Sequence, residues 1–230
     1  MARFLLVHGA SHGAWCWSRV IPVLEDMGHM AKAVDLPGHG NVTLNDYRGA
    51  ALAHLSPGAI VVGHSLGGLT VTLAAAARPA DVHALVYLAA VVPAPGDRFV
   101  DIRPRAISPD VSKVTERVGA HSFVKADEAS DVFYSDCAPS DVQFAKENLV
   151  PQPVSVMQEQ LQFEPTEVPR HYIRCLTDRV VLPEYQKQVT ADWPADTVHE
   201  LHTGHSPFFS DPVGLCRHLD AIATAQIRKA

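Results

Sequence analysis

Val61-Val62-Gly63-His64-Ser65-Leu66-Gly67-Gly68 joins an apolar run at 59–62 to an alanine-rich, helix-like segment at 66–77. How that junction is read decides the fold. A G-x-S-x-G pattern between a strand and a helix marks a sharp reversal of the chain. Completing the reversal within one tight turn forces the serine into a strained backbone region, and Gly63 and Gly67 leave room around it. Its hydroxyl is thereby exposed. The competing reading of Ser65 is an ordinary helix N-cap, since serine is a preferred capping residue; the strand-to-helix context favours a nucleophile.

Outward from the junction the same rhythm recurs. Periodicity predicts a strand at 3–7, a helix at 15–27, a strand at 31–36, a helix at 43–55 and a strand at 84–92. Alternation of this kind implies a parallel sheet covered on both faces by helices. From 93 to about 169 the rhythm fails. This stretch is rich in proline, offers short polar helix candidates at 140–149 and 154–161 and shows no convincing apolar strand, so it reads as a helical cap, 94–169, inserted between two strands. A strand at 171–176, a helix at 183–193, a strand at 197–201 and a helix from 212 onward complete a sheet of about six strands.

The chain has 230 residues, 47% of them hydrophobic, enough for one buried core and a single domain over 1–230. A formal net charge of -6, from 19 basic and 25 acidic residues, provides no footprint for a phosphate backbone, so nucleic acid is excluded as a partner. Charged residues, proline or histidine interrupt every apolar run well short of the roughly 18 residues of a membrane span. The first run, Phe4-Leu5-Leu6-Val7, is too short for a signal-peptide core. Cys16, Cys137, Cys175 and Cys216 are scattered, with no C-x-x-C pair, and fit reduced thiols in a cytoplasmic protein.

A serine hydroxyl needs a base to take its proton and a third group to orient that base. The motif predicts the order serine, acid, histidine. Of 13 histidines, His205 stands in the loop Thr203-Gly204-His205-Ser206-Pro207 after the last strand, whereas His199 and His202 lie within or at the edge of that strand. Asp178 follows the 171–176 strand; Asp192 and Asp196 read as solvated charges. The oxyanion of a tetrahedral intermediate needs donors. The amide of Leu66, at the start of a helix, is one, and Ala10, in His8-Gly9-Ala10-Ser11-His12-Gly13, is the other. A metal site at His8 and His12 lacks a third ligand nearby.

His8-Gly9-Ala10-Ser11-His12-Gly13-Ala14-Trp15, Asp35-Leu36-Pro37-Gly38-His39-Gly40, the Ser65 junction and the Asp178 and His205 segments together resemble the α/β-hydrolases grouped with plant methylesterases and hydroxynitrile lyases. The likeness runs from the first strand to the last helix and is loose in the cap. It implies an α/β-hydrolase fold with Ser65, Asp178 and His205 as triad and the amides of Ala10 and Leu66 as oxyanion hole. The lyases of the group carry threonine where Gly9 stands and lysine where Ser206 stands; without that cation nothing supports a departing cyanide, which favours an esterase. Haloalkane dehalogenases and epoxide hydrolases use an aspartate where Ser65 stands.

The expectation is a serine hydrolase of small or medium, fairly apolar carboxylic esters, aryl esters and lactones included. It needs no cofactor or metal, its partner is the ester itself, and self-association into a homodimer is left open. A hydroxynitrile lyase-type C–C lyase and a non-catalytic ligand receptor on the same fold are the alternatives. Phe123, Phe133, Phe144 and Phe163 are the cap side chains considered for the pocket wall.

Overall fold

A computed structural model describes the backbone of residues 1–229 and the side chains of residues 1–226. Strand β1 (Arg3–Val7) is followed by a 3₁₀ turn at Ala14–Trp17, helix α1 (Val20–Asp26) and strand β2 (Met30–Val34). Helix α2 (Leu44–Leu52) starts where Thr43 and Asp46 form a reciprocal capping box. Strand β3 (Ala59–His64), helix α3 (Gly67–Ala77) and strand β4 (Val82–Leu88) follow. The helix expected at 15–27 is thus divided, and β4 stops short of 92. Ala89 takes a φ of 43°, which turns the chain out of the ladder so that the Val91 N–H reaches the Ser65 carbonyl at 3.1 Å.

Among the described residues the main sheet has six strands, all parallel, in the order β2-β1-β3-β4, then β8 (Arg170–Cys175) and β9 (Val198–Leu201). Successive residues of β1 and β3 point to opposite faces. Phe4, Leu6, Ile60, Val62 and Val86 join one buried cluster, and Leu5, Val7, Val61, Leu85 and Tyr87 the other. Burial on both sides explains why β3 is uniformly apolar up to Gly63.

The chain begins inside the sheet, moves to β2 at one edge, then crosses back to β3 on the far side of β1. Crossovers therefore diverge between β1 and β3, and a crevice opens beyond their carboxyl ends. Val7 pairs with Gly63 in register, so the Gly9 loop and Ser65 leave the sheet side by side. Asp178 follows β8 and His205 follows β9 along the same edge.

The segment 94–169 is not wholly helical. It holds α4 (Phe99–Ala106), α5 (Asp110–Lys113), β5 (Thr115–Val118), β6 (His121–Val124), α6 (Ser130–Phe133), α7 (Pro139–Asn148), β7 (Gln152–Pro153) and α8 (Ser155–Gln158). The three strands pair antiparallel in a separate ribbon. Their sequence hides them. Thr115-Glu116-Arg117-Val118 has no apolar alternation, and most of its residues are exposed, so no periodic signal exists to find. Helices α9 (Pro183–Val189), α10 (Pro207–Ser210) and α11 (Pro212–Lys229) complete the chain. Among the described residues no helix is long and apolar enough to cross a membrane.

Candidate active site

Ser65 has a φ of 54°, the left-handed strain the junction predicts. The conformation costs roughly 1–3 kcal/mol and persists because the surroundings fix it: the Ser65 N–H donates to the Leu88 carbonyl, and its own carbonyl accepts from Gly68 and Val91. A Cβ on Gly67 would stand 2.6 Å from the His8 carbonyl oxygen, and one on Gly63 2.6 Å from Val71, so a side chain at either position would break the turn. Ser65 does not cap α3. Leu66 holds that position, with no side-chain cap bond, which removes the N-cap reading.

Asp178 and His205 are both buried and bonded to each other, Nδ1 to Oδ2 at 2.9 Å. An ionised carboxylate only accepts, so Nδ1 carries the proton and the Nε2 lone pair is free to act as a base. The carboxylate is fully engaged. Oδ1 accepts from the amides of Val180 at 2.7 Å and Val181 at 3.0 Å, and Oδ2 also accepts from Gln186 Nε2 at 3.1 Å. Asp192 and Asp196 are exposed. His199 lies beside His171, and His202 is exposed.

Ser65, Leu66, Ala10 and His205 line one cavity of about 700 Å³ including its mouth. Among the described residues, neither the Ala10 nor the Leu66 amide has an intramolecular acceptor, which leaves both donors for a ligand oxygen. The two loop histidines set that geometry. His8 accepts the Leu36 N–H at Nε2, 3.0 Å, and donates from Nδ1 to the Gly9 carbonyl at 2.8 Å. Carbonyl and amide of one peptide point in opposite directions, so this bond turns the Ala10 N–H away from His8. His12 holds the next carbonyl, that of Ala10, at 2.8 Å and accepts from the Tyr134 hydroxyl at 2.9 Å.

Other residues escaped the sequence reading. His64 donates from Nε2 to the His205 carbonyl at 2.8 Å, tying the His205 loop to the turn at Ser65. Asp136 accepts the Gly204 N–H, and Ser206 donates its hydroxyl to the Phe133 carbonyl at 2.8 Å, so the inserted segment clasps the His205 loop on both sides. Gln152 accepts the Ser11 N–H and donates to Tyr47. The H-G-x-x-H-G spacing was a usable clue to His8 and His12; the contacts of Asp136 and Gln152 have no local signature. Of the four cap phenylalanines considered, only Phe133 lines the cavity, with Phe99 in addition. Phe144 packs against Trp15 and Phe209.

Burial pushes the His12 ring down to about 3, against a smaller opposing pull from the Ala10 carbonyl. It also lowers His8, and it holds His64 well below the usual imidazole range, helped by the neighbouring His205 and His12. These three rings are neutral at working pH and keep their hydrogen-bonding roles. In the unfolded chain each would titrate near 6.5. Below that value the unfolded state binds more protons than the native one, so stability is full above about pH 6.5 and drains away as the pH falls toward 3. For His12 alone the loss at pH 5 is roughly 2 kcal/mol. The melting temperature should therefore drop by several degrees between pH 7 and pH 5 in thermal denaturation; identical values would show that these rings are not buried neutral.

The chain has clear relatives among known proteins. Residues 4–218 match the model of the alpha/beta hydrolase family. The chain is 32% identical over 251 residues to methylesterase 18 of Arabidopsis thaliana, covering 94% of this chain and 95% of that protein. It is 30% identical over 244 residues to a pheophorbidase of Raphanus sativus, covering 95% and 93%. Among solved structures, a pyrethroid hydrolase from Sphingobium faniae JZ-2 superposes with a TM-score of 0.86 at 27% identity, covering 97% of this chain and 98% of that one.

Proposed function

This chain belongs to the α/β-hydrolase family, and on that premise we propose that it is a serine hydrolase of carboxylic esters working through an acyl-enzyme. The reading is carried by the placement of a strained Ser65 on the wall of a cavity shared with His205, whose ring is held by a buried carboxylate. Ser65 attacks the ester carbonyl as His205 Nε2 takes its proton. Asp178 holds the ring in the accepting tautomer and stabilises the imidazolium. The amides of Ala10 and Leu66 stabilise the oxyanion; one such donor is worth roughly 3–4 kcal/mol. The alcohol leaves with the proton from His205, and water activated by the same ring releases the acid.

The apolar wall formed by Phe99, Ile107, Val111, Val124, Phe133 and Met157 supports small to medium, fairly apolar esters, aryl esters and lactones among them. Nothing favours the lyase alternative. Ser206 presents no cation and uses its hydroxyl on Phe133, and a Cβ at Gly9 would stand 2.8 Å from the Ser65 Cβ.

Purified protein should hydrolyse p-nitrophenyl acetate with a burst of p-nitrophenol equal to the enzyme present, followed by slower turnover. Activity should fall on the acid side, because a protonated imidazole cannot accept the serine proton. Absence of any turnover would favour a ligand receptor on the same fold, and a flat profile from pH 5 to 8 would remove His205 as the base.

A further inference from the structure

Helix α4 and the residue just past it place Phe99, Arg103 and Ile107 at intervals of four, and all three line the cavity that contains Ser65. Residues spaced this way share one face of a helix. Two of the three are apolar, as a face turned toward a buried site demands. The third is a guanidinium.

The nearby carboxylates in its own segment are taken: Asp101 accepts from Arg98 at 2.7 Å, and Asp110 pairs with Lys113 at 2.6 Å. Arg103 itself donates from Nη2 to the Ser112 hydroxyl at 2.7 Å, a neutral acceptor. Among the described residues no carboxylate lies within ion-pair distance of it. Its remaining N–H groups have no intramolecular acceptor there. Thr115 and Ser122, on β5 and β6, bring hydroxyls to the same cavity.

Arg103 is half-buried, and its permanently charged guanidinium stands beside Phe99 and Ile107 with one neutral hydroxyl as its partner. Its planar fork of donors matches a carboxylate, which it can bind through two parallel hydrogen bonds. We infer that Arg103 determines specificity by binding an ionised carboxylate at the end of the substrate remote from the scissile bond. The preferred substrates are then esters that carry a second, free carboxylate, such as half-esters of aliphatic dicarboxylic acids. Water divides such an ester into the alcohol and a dicarboxylate, with one proton released. This assignment rests on the esterase reading above.

A purely structural Arg103 makes a different prediction. A cation in the last turn of α4 is favourable to the helix dipole, and losing it would lower stability without altering substrate preference. The test is the ratio of kcat/KM for half-methyl esters of four- to eight-carbon diacids to that for methyl esters of fatty acids of the same carbon number. Wild type, Arg103→Met and Arg103→Lys are compared. Because both substrates of a pair are measured on one preparation, partial misfolding cancels. At the best chain length the wild type should favour the half-ester at least tenfold, Arg103→Met should reduce that ratio at least tenfold, and Arg103→Lys should restore part of it. An equal ratio in wild type and Arg103→Met, or a wild type that prefers the neutral ester at every length, overturns the assignment while leaving the esterase reading intact. A wild type inert toward every ester, p-nitrophenyl acetate included, overturns both.

Discussion

Ser65→Ala should lower kcat on p-nitrophenyl esters by about 10⁵- to 10⁶-fold while leaving the fold in place. The size of the effect follows from the route: without Oγ no acyl-enzyme forms, and the remaining amides and imidazole can assist only direct attack by water. Retention of the fold follows from the contacts. The bonds that fix the elbow run through the backbone of Ser65 to Leu88, Gly68 and Val91, and alanine keeps every one of them at the same strained φ. Its melting temperature should lie within about 2 °C of wild type. A well-folded variant that still turns over at more than a hundredth of the wild-type rate would mean that another group is the nucleophile.

Asp178→Asn should cost about 10⁴-fold in kcat and, unlike the serine change, should also destabilise the protein. The side-chain oxygen of the asparagine is drawn to the two amides of Val180 and Val181 that now bond Oδ1. Its NH₂ then faces His205 Nδ1 and Gln186 Nε2. Gln186 cannot turn away, because its Nε2 also donates to the Val181 carbonyl at 2.7 Å and its Oε1 accepts from Cys175 at 2.9 Å. Two amide groups would meet donor to donor in a buried place, a penalty of roughly 1–3 kcal/mol. At the same time the NH₂ forces Nδ1 to accept, which moves the ring proton to Nε2, where it blocks removal of the serine proton. Steady-state kinetics and thermal melts check both halves, and nitrogen shifts of the imidazole would report the exchanged tautomer. A variant within tenfold of wild type would show that Asp178 does not orient the base.

The βα rhythm, the strand count and the turn at Ser65 were legible because each rests on a local rule. Gly63 and Gly67 are demanded by the close passage of neighbouring backbone, and such demands leave a mark at fixed spacing. His205 and Asp178 were legible by position, since loops at the carboxyl edge of a parallel sheet converge whatever separates them in the chain. The inserted segment was not. Its strands are short, polar and half-exposed, and what it contributes to the site is tertiary: the Asp136 carboxylate on Gly204, the Phe133 carbonyl on Ser206 and the Gln152 side chain on Ser11. Element ends shifted where a side chain or bend was needed elsewhere. Strand β2 ends at Val34, and the Leu36 amide, expected in the ladder, is the donor that anchors His8. The turn at Ala89 ends β4 and brings the Val91 N–H onto the Ser65 carbonyl.

The most direct test of Ser65 as the nucleophile is the site of covalent labelling by an organophosphate such as diethyl p-nitrophenyl phosphate, read by intact mass and peptide mapping. The expected result is one diethylphosphoryl group per chain, on the peptide that contains Ser65, formed in step with loss of esterase activity and absent from Ser65→Ala. A label on a different residue, or undiminished labelling of the alanine variant, would contradict it.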